Sequence, residues 1–377
     1  MIKSYKIRIF PTKDQEQLIY KHIGCCRFIW NYMLDLQNTR YKNKEKYLSA
    51  FDMIKLLTPL KKQKEYEWLN EVSSKSLCNI CRDLDKAFQN LFKKIKKHPK
   101  FKSKKTSKLA YPLRYDRIYF KSSNTLQIEK LGKVKCKTDV NFPLGKDIKI
   151  INPRLINQNG KWLVCFGMES ESQASTLTDK PMGIDLGVKE LMVVAYGDEE
   201  IIFHNINKSK KMRLLEKRKK HTERTISRKY RTNNSYEKTN NIIKEENKLR
   251  KLCAKQTNIR NNYIHQCTHT LVSLLPSRVV MEDLNVSGMI KNKHLSKTIM
   301  EAKFYEIIRQ MQYKCEWLGI PFLQVDRFYP SSKTCSRCGT VKHNLKLKDR
   351  IFTCESCGLT IDRDYNASLN LQRYKIQ

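Results

Sequence analysis

A single carboxylate between two glycines is the first pattern in the sequence that could do chemistry. Asp185 lies in the stretch GIDLG (183–187), and a strand-like run follows it. With the two-residue period of a β-strand, Asp185 shares one face with Gly183 and Gly187, where a packed apolar face would be expected. The glycines would leave room for a metal ion and a phosphate to approach the backbone, although an aspartate near glycines can also simply close a turn.

Two more carboxylates stand at the predicted ends of regular elements. Glu282 follows the apolar run VVM (279–281), which is typical of a buried strand, and sites in open α/β sheets form at the carboxyl ends of strands. Asp364 begins a short terminal helix in DRDYNASLNLQ (362–372). Each residue alone also has a structural interpretation, because a glutamate there can pair with an arginine and an aspartate can cap a helix.

Taken together, the three carboxylates indicate a metal site. Acidic side chains that converge on one sheet repel one another unless cations hold them. Oxygen ligands of this kind select Mg²⁺ or Mn²⁺. Two such ions about 4 Å apart can activate a water and stabilise the departing oxygen of a phosphodiester. The pattern therefore favours hydrolysis of a phosphodiester at Asp185, Glu282 and Asp364.

Four cysteines have the spacing of a structural zinc site. Their pattern is C-x2-C-x15-C-x2-C, and it comprises Cys335, Cys338, Cys354 and Cys357. Gly339 and Gly358 follow the two pairs and allow the tight knuckle that such sites use. The alternative is a pair of redox dithiols, but two matched knuckles favour zinc. Cys78 and Cys81 have the same pair spacing within a helical pattern and no partner pair, which favours two core positions.

The composition points to a polyanionic partner. Among 377 residues, lysine and arginine outnumber aspartate and glutamate 75 to 37, which gives a net charge of +38. Nucleic acid is the partner that such an excess predicts. A membrane surface is the weaker reading, because no stretch approaches about 20 consecutive apolar residues. Thirteen cysteines, mostly at irregular spacing, indicate a reducing cytosol and no disulfide framework.

The periodicity of the chain predicts a multidomain protein of α+β and α/β type. A strand at 2–10 is followed by a helical region at 11–105, whose start Thr12 and Gln15 mark as a capping box. Residues 106–178 then carry short strands with turns, which predict a small β-barrel or sandwich. Since the first strand lacks a partner nearby, the helical region is expected to be an insertion into this β-domain. The short strands are expected at 118–120, 125–129, 133–137, 148–151 and 161–168.

The region 179–377 predicts an α/β sheet domain. A long basic helical stretch, interrupted at RTNNS (231–235), is expected between its first three strands and its last two. The strands are expected at 182–187, 190–196, 200–204, 278–281 and 321–325, and the helices at 209–275 and near 296–318.

A lysine-rich segment follows the predicted helical region. It runs from Lys93 to Lys105 and contains eight lysines around Phe101. A charge run is usually a solvated face, but an aromatic side chain among cations is suited to gripping a nucleic-acid backbone while stacking on a base. We therefore expect Lys100, Phe101 and Lys102 to contact nucleic acid.

With these motifs in order, the chain resembles the TnpB family of transposon-encoded RNA-guided endonucleases. The resemblance rests on GIDLGVKEL, VVMEDLNVSGM, YPSSKTCSRCG with CESCG, and DRDYNASLNL. It extends to the amino-terminal region, where YKIRIFPTKDQEQLIYKHIGCCRFIWNYML and the stretch from SLCNICRDLDKAFQNLF to the lysine-rich segment are similar to the same family. Ser368 departs from the family, in which alanine is common. Compact type V CRISPR effectors share the same nuclease core.

The resemblance implies a domain organisation and a site. Residues 1–10 and 106–178 would form a wedge-like β-barrel, 11–105 a helical recognition lobe, and 179–377 a RuvC-like nuclease domain of RNase H fold with a zinc ribbon at about 331–360. Asp185, Glu282 and Asp364 would be the catalytic triad that holds Mg²⁺ or Mn²⁺. Asp364 is preferred because it lies two residues before Asn366, the Asn of the family's D-x-N signature. Asp362 is the alternative.

The resemblance also implies partners. A guide RNA and target double-stranded DNA would bind the protein. The protein would be a monomer or a homodimer in the cytoplasm of a prokaryote, and it would associate with the nucleoid when bound to DNA. Such proteins read a short duplex motif beside the target. Lys75 and Asn79 are spaced i, i+4, and Asn is suited to adenine, although an ordinary polar helix face would look the same.

The expected function is therefore RNA-guided, metal-dependent cutting of DNA beside a short flanking motif, by a hydrolase of a mobile element. Two alternatives use the same scaffold. One is a nuclease-inactive RNA-guided DNA-binding protein or repressor, which should have lost a carboxylate, whereas none of the three is missing. The other is a DNA-strand transferase, or transposase, which would join DNA ends without a guide.

Overall fold

The fold is described from a computed structural model that covers residues 2–145, 149–170, 175–233, 237–346 and 349–374. The chain divides into two compact units, Met1–Glu171 and Ser172–Gln377. None of the helices within these ranges combines the length and the apolar character that crossing a bilayer requires.

Three α-helices in the first unit follow its first strand. The expected capping box is confirmed, because the Gln15 amide donates to Thr12 Oγ1 at 3.3 Å and Gln15 Oε1 accepts from the Thr12 amide at 3.0 Å. A 3-10 segment, Lys64–Glu71, leads into the third helix. The helices are α1 (Lys13–Lys42), α2 (Ala50–Lys62) and α3 (Ser74–Phe92).

The strands of the first unit form one antiparallel sheet. They are β1 (Ile2–Phe10), β2 (Ala110–Pro112), β3 (Ile118–Ser122), β4 (Thr125–Ile128), β5 (Gly132–Lys137), β6 (Ile150–Gln158) and β7 (Lys161–Glu169). Their order is β2-β6-β7-β1-β5-β4-β3, so the first strand lies in the middle of a sheet whose other members come after the helices. Of the strand expected at 148–151, residue 148 lies outside the described residues, and β6 extends to Gln158.

The expected barrel is not closed. A barrel requires its two outermost strands to pair, and β2 and β3 are not paired with each other among the described residues. The strand β2 has only three residues and ends at Pro112, which has no N–H to donate to a further ladder. The sheet is therefore open at this strand, and the prediction of a closed barrel was wrong.

The second unit is built on a mixed five-stranded sheet of order β10-β9-β8-β11-β12. The strands are β8 (Met182–Leu186), β9 (Glu190–Tyr196), β10 (Glu199–His204), β11 (Val279–Glu282) and β12 (Phe322–Val325). Strands β8, β9 and β10 are antiparallel, whereas β8, β11 and β12 run parallel. The strands expected from the sequence are all present.

Helices cover both faces of this sheet. They are α4 (Lys210–Arg231), α5 (Asn240–Ser273), α6 (Val286–Ile290), α7 (Ser296–Ala302), α8 (Phe304–Leu318) and α9 (Arg363–Gln372). The helix expected near 296–318 is divided at Lys303, whose φ of 58° lies in the left-handed region. The long basic stretch forms two helices, and within the expected interruption at 231–235, residues 234 and 235 lie outside the described residues.

Alternate residues of β11 decide which helix covers which face. Val279 and Met281 are buried in the core that α5 and α8 complete, whereas Val280 packs with Leu371 of α9. Glu282 follows the same alternation and belongs to the face of α9. A small hairpin of β13 (Ile351–Thr353) and β14 (Thr360–Asp362) precedes this helix.

Candidate metal centres at the sheet edge and in the ribbon

Asp185 and Glu282 lie side by side at the carboxyl ends of two parallel strands. Val280 pairs with Gly183 and Met281 pairs with Ile184, so the next pair in this register is Glu282 with Asp185. Residues in register on adjacent strands point to the same face of a sheet. Both carboxylates therefore face the side that α9 covers.

Gly183 is the point at which α9 contacts the sheet. A Cβ at this position would overlap the carbonyl oxygen of Ser368 and the amide nitrogen of Gln372, and it would lie 2.9 Å from the Cα of Gln372. The expected space for a metal and a phosphate is thus filled by the helix backbone. A Cβ at Gly187 would meet the Glu190 carbonyl oxygen at 2.7 Å, so neither glycine has the role that the sequence suggested.

The contact of α9 with Gly183 brings Asp364 to the first two carboxylates. Ser368, which lies over Gly183, is one helical turn after Asp364. Burial raises the pKa of Asp185 well above its usual range, and the charges of Glu282 and then Asp364 raise it further. A cluster of like charges next to a buried carboxyl is the electrostatic setting that a bound cation relieves.

Asp362 is used differently from Asp364. Its Oδ1 accepts hydrogen bonds from the amides of Asp364 at 2.9 Å and Tyr365 at 3.3 Å, so Asp362 is the N-cap of α9. Asp364 lies in the first turn and contacts Arg363 Nη2 at 3.2 Å and Arg350 Nη1 at 3.6 Å. Its charge also contributes more than that of Asp362 to the raised pKa of Asp185. These contacts favour Asp364 as the third member of the cluster.

The three carboxylates are more widely spread than the thiols of the ribbon. Within the part of the chain that the structure describes, the four cysteines are the group of possible metal ligands whose donor atoms all lie within 4.8 Å of one another. A centre with two ions about 3.5–4 Å apart does not need its carboxylates at a single point.

Ser331 and Asn370, which sequence reasoning missed, hold the ribbon's leading loop against this site together with Asn366. Ser331, which is buried, donates a short hydrogen bond to Glu282 Oε1. Asn370 on α9 donates to the Ser331 carbonyl at 2.7 Å, and Asn366 donates to the Thr334 carbonyl at 2.7 Å. The signal was present in the sequence, since Asn366 and Asn370 are spaced i, i+4 on one helix face.

The four cysteines form a second centre. Cys335 Sγ lies 3.6 Å from Cys357 Sγ, and Cys338 Sγ lies 3.5 Å from Cys354 Sγ. Four sulfurs at about 2.3 Å from a tetrahedral zinc would be about 3.8 Å apart, so the thiols fit this ion. Beyond the cysteines, the buried side chain that supports them is Phe352.

Zinc removal is expected to unfold the ribbon and to weaken metal binding by the carboxylates at the sheet edge. The core of the ribbon is too small to fold without metal. When the ribbon unfolds, its leading loop would also lose its structure and release Ser331 from Glu282. Cys354→Ser should abolish hydrogen-exchange protection at 351–362, lower the zinc content of about one per chain, and weaken Mg²⁺ binding at the sheet edge by about 10- to 100-fold. Cys253→Ser, in α5 of the same unit, is the control and should change none of these quantities. Full protection in a zinc-free protein would contradict the prediction.

The raised pKa of Asp185 predicts a pH-dependent cost in stability when divalent metal is absent. The folded state then holds the proton at pH values where the unfolded chain has lost it, so stability falls as pH rises through the folded pKa. In EDTA, Asp185→Asn should therefore raise the melting temperature at neutral pH and have little effect near pH 4. Added Mg²⁺ should raise the melting temperature of the wild type but not of the variant. A variant less stable than the wild type at neutral pH in EDTA would contradict this explanation.

The expected nucleic-acid contacts of the first unit occupy different environments. Lys75 and Asn79 lie on α3. The Lys75 ammonium is 5.9 Å from the centre of the Tyr115 ring, and Asn79 Oδ1 accepts a hydrogen bond from Arg82 Nη1 at 2.8 Å. Lys100 and Phe101 are exposed.

Lys102 points inwards, unlike its neighbours. Its ammonium lies 3.4 Å from the centre of the Trp30 ring, its backbone is held by Asn31, and burial lowers its pKa to about 8. The contact with Trp30 fixes the segment against α1. Of the two cysteines expected at core positions, Cys81 is fully buried and Cys78 is partly buried against the same core.

Comparison with known proteins gives three matching family models. They are the IS605 OrfB helix-turn-helix domain at residues 1–46, the IS605 OrfB family described as "Probable transposase" at 164–293, and the Cas12f1-like TNB domain at 304–371.

Similar proteins and structures cover nearly the whole chain. A Streptomyces pristinaespiralis protein named "Putative RNA-guided DNA endonuclease" is 29% identical over 98% of this chain and 88% of its own length. The Escherichia coli K12 protein "Putative RNA-guided DNA endonuclease InsQ" is 27% identical over 98% and 91%. The fold is similar to that in "Cryo-EM structure of the Cas12f1-sgRNA-target DNA complex", with a TM-score of 0.61 and 13% identity over 99% of each chain.

Proposed function

We propose a function on the premise that the chain belongs to the TnpB family, also known as IS605 OrfB. The chain is an RNA-guided, divalent-metal-dependent DNA endonuclease of a mobile element, and it cuts beside a short flanking motif. The observation that carries this proposal is the alignment of Asp185 with Glu282 on parallel strands, under a helix that brings Asp364 to the same face. Relatives named as RNA-guided DNA endonucleases support the proposed activity.

The second unit would be a RuvC-like nuclease domain of RNase H fold, from residue 179 to residue 377. An antiparallel three-stranded meander joined to parallel strands, in the order β10-β9-β8-β11-β12, supports this assignment. In the first unit, the sheet of residues 1–10 and 106–178 would be the wedge, and residues 11–105 would be the recognition lobe.

The proposed reaction centre uses this chain's side chains as ligands and as supports. Asp185, Glu282 and Asp364 would hold Mg²⁺ or Mn²⁺, which when bound supplies an activated water and stabilises the leaving oxygen of the phosphodiester. Ser331 fixes the rotamer of Glu282 through its hydrogen bond. Arg350 and Arg363 restrain Asp364 until a cation competes for its oxygens.

Guide RNA and target DNA are the proposed partners, and they match the net charge of +38. One structural neighbour is a complex of Cas12f1 with sgRNA and target DNA. Sequence reading would be delegated to base pairing with the guide. Lys75, Asn79, Lys100 and Phe101 are the proposed contacts to nucleic acid from the first unit, whereas Lys102 would act by holding the segment on Trp30.

The test begins with the RNA that co-purifies with the full chain. Sequencing should return one structured species with a variable end, and the complex should cut plasmid DNA that matches this end only when Mg²⁺ or Mn²⁺ is present. Protein without RNA should show no target preference. Binding without cutting would support a repressor, and joining of DNA ends without RNA would support a transferase; either result would overturn the proposal.

A further inference from the structure

A cavity of about 390 Å³ lies in the first unit, between the end of α1 and the end of α3. It lies apart from Lys75 and Asn79, near the start of α3, and from the contact of Lys102 with Trp30. Its aromatic lining consists of Tyr41, Tyr47, Phe88, Phe92 and His98.

The aromatic rings form a cup. The Tyr47 ring lies 5.7 Å from Phe88 and 5.4 Å from Phe92, in edge-to-face contacts, and His98 meets Phe88 at 5.5 Å and 89°. Tyr47 is fixed from behind, because its hydroxyl donates to Asp85 Oδ1 at 2.8 Å. The base of the cup is thus held by contacts within the protein itself.

The rim of the cup is exposed. Phe92 is 56% exposed and Tyr41 is 85% exposed, so large aromatic faces are open to solvent. Contiguous exposed aromatic surface around a formed cavity is unusual on a protein without a ligand there.

Lysines surround this rim on two sides. The segment from Arg40 to Lys46 and the turn after α3 supply seven exposed lysines: Lys42, Lys44, Lys46, Lys93, Lys94, Lys96 and Lys97. Within the described residues, none of these seven forms an ion pair, and the acidic side chains nearby are engaged, Glu45 with Arg40 at 2.7 Å and Asp85 with Tyr47. The rim is therefore complementary to a polyanion that brings an aromatic group.

The cavity also offers a polar edge. Asn38 lines it, and no hydrogen bond among the described residues uses its side-chain amide. An amide carries both a donor and an acceptor, which match the edge of a nucleobase. The volume is within the range of small-molecule sites, and it can accommodate one base with its sugar.

We infer that this cavity binds the base of one unpaired nucleotide, stacked on Tyr41 and Phe92, while the surrounding lysines hold the flanking phosphates. Aromatic faces that stack a base within a basic groove are the general means of binding single strands. The inference rests on the proposed function for the source of the strand, which is either an unpaired part of the guide RNA or the displaced strand of the target.

The test measures crosslinking and affinity with the full chain. Guide RNA that carries 4-thiouridine and displaced-strand DNA that carries 5-iododeoxyuridine are irradiated separately in the complex, and crosslinked peptides are mapped. A crosslink at 40–47 or 88–98 in either arm is expected and identifies the strand. Absence of such a crosslink in both arms would overturn the inference.

Affinity for short oligouridine and oligothymidine strands provides the second readout. Tyr41→Ala and Phe92→Ala should each weaken binding by about tenfold, and Tyr41→Phe should restore it because the ring is retained. Phe51→Ala is the matched control, since Phe51 is 69% exposed on α2 of the same unit and does not line the cavity. Equal affinities of Tyr41→Ala, Phe92→Ala and Phe51→Ala would refute the inference.

Cutting by the wild type separates the two proposals. If the wild type cuts guide-matched DNA but gives no crosslink at the cavity, the proposed function is supported and this inference is wrong. If the wild type crosslinks at the cavity but does not cut, the proposed function is wrong and the nucleotide site is supported.

Discussion

Asp185→Ala is expected to abolish metal-dependent cutting of guide-matched DNA while guide RNA binds with wild-type affinity. The change removes a proposed metal ligand from the face that Glu282 and Asp364 share, so no side chain at that position can hold a divalent ion. The rate should fall by about three orders of magnitude or more, as for other groups whose loss dismantles a centre. Single-turnover cleavage and RNA filter binding measure the two effects.

The control for this experiment is Asp283→Asn. Asp283 is adjacent to Glu282, but it is 46% exposed and its carboxylate pairs with Arg327 at 2.7 Å. Its loss should leave the rate within about twofold, because exposed pairs of this kind contribute little. Wild-type cutting by Asp185→Ala would show that the assigned site is wrong.

Gly183→Ala is expected to destabilise the second unit and to abolish cutting through a residue that binds no ligand. The added methyl group would overlap the backbone of α9 at Ser368 and Gln372, and neither group can move without lifting the helix from the sheet. The free energy of unfolding should fall by about 3 kcal/mol. Because α9 carries Asp364, cutting should be lost even at temperatures at which the variant is folded. Calorimetry and cleavage assays on the same sample separate these effects.

Gly24→Ala is the matched control for this substitution. Gly24 lies within α1, and a Cβ there would have no heavy atom within 4 Å. Alanine at that site should be neutral or should stabilise by about 0.5–1 kcal/mol. If Gly183→Ala has the free energy of unfolding and the cutting rate of the wild type, the contact of α9 with Gly183 is not what brings Asp364 to the site.

The features that depend on local sequence could be predicted. The ribbon cysteines came from two short knuckles, each closed by a glycine, and the structure gathers all four thiols. The start of α1 followed from Thr12 and Gln15, whose capping contacts span three residues. Strand patterns placed Asp185 and Glu282 near strand ends, and parallel pairing brings such ends to one edge.

The features that depend on distant contacts could not be predicted in this way. The role of Gly183 is set by α9, which lies about 180 residues later in the chain. The hydrogen bond of Ser331 to Glu282 likewise joins residues with no local pattern in common. The barrel prediction failed because alternation identifies strands but not whether the outermost ones, such as β2, can pair. Lys102 was expected to contact nucleic acid as part of the lysine-rich segment, and its contact with the Trp30 ring, about 70 residues earlier in the chain, has no local signal in the sequence.

Metal rescue at a modified phosphate tests the proposed reaction centre most directly. A guide-matched DNA with a single phosphorothioate at the cut position places sulfur where an oxygen would contact the bound ion. Because Mg²⁺ binds sulfur poorly and Mn²⁺ accepts it better, one stereoisomer should be cut about 100-fold more slowly in Mg²⁺ and at near-normal rate in Mn²⁺. Equal slowing in both metals, or cutting in EDTA, would contradict a centre in which Asp185, Glu282 and Asp364 hold the catalytic ions.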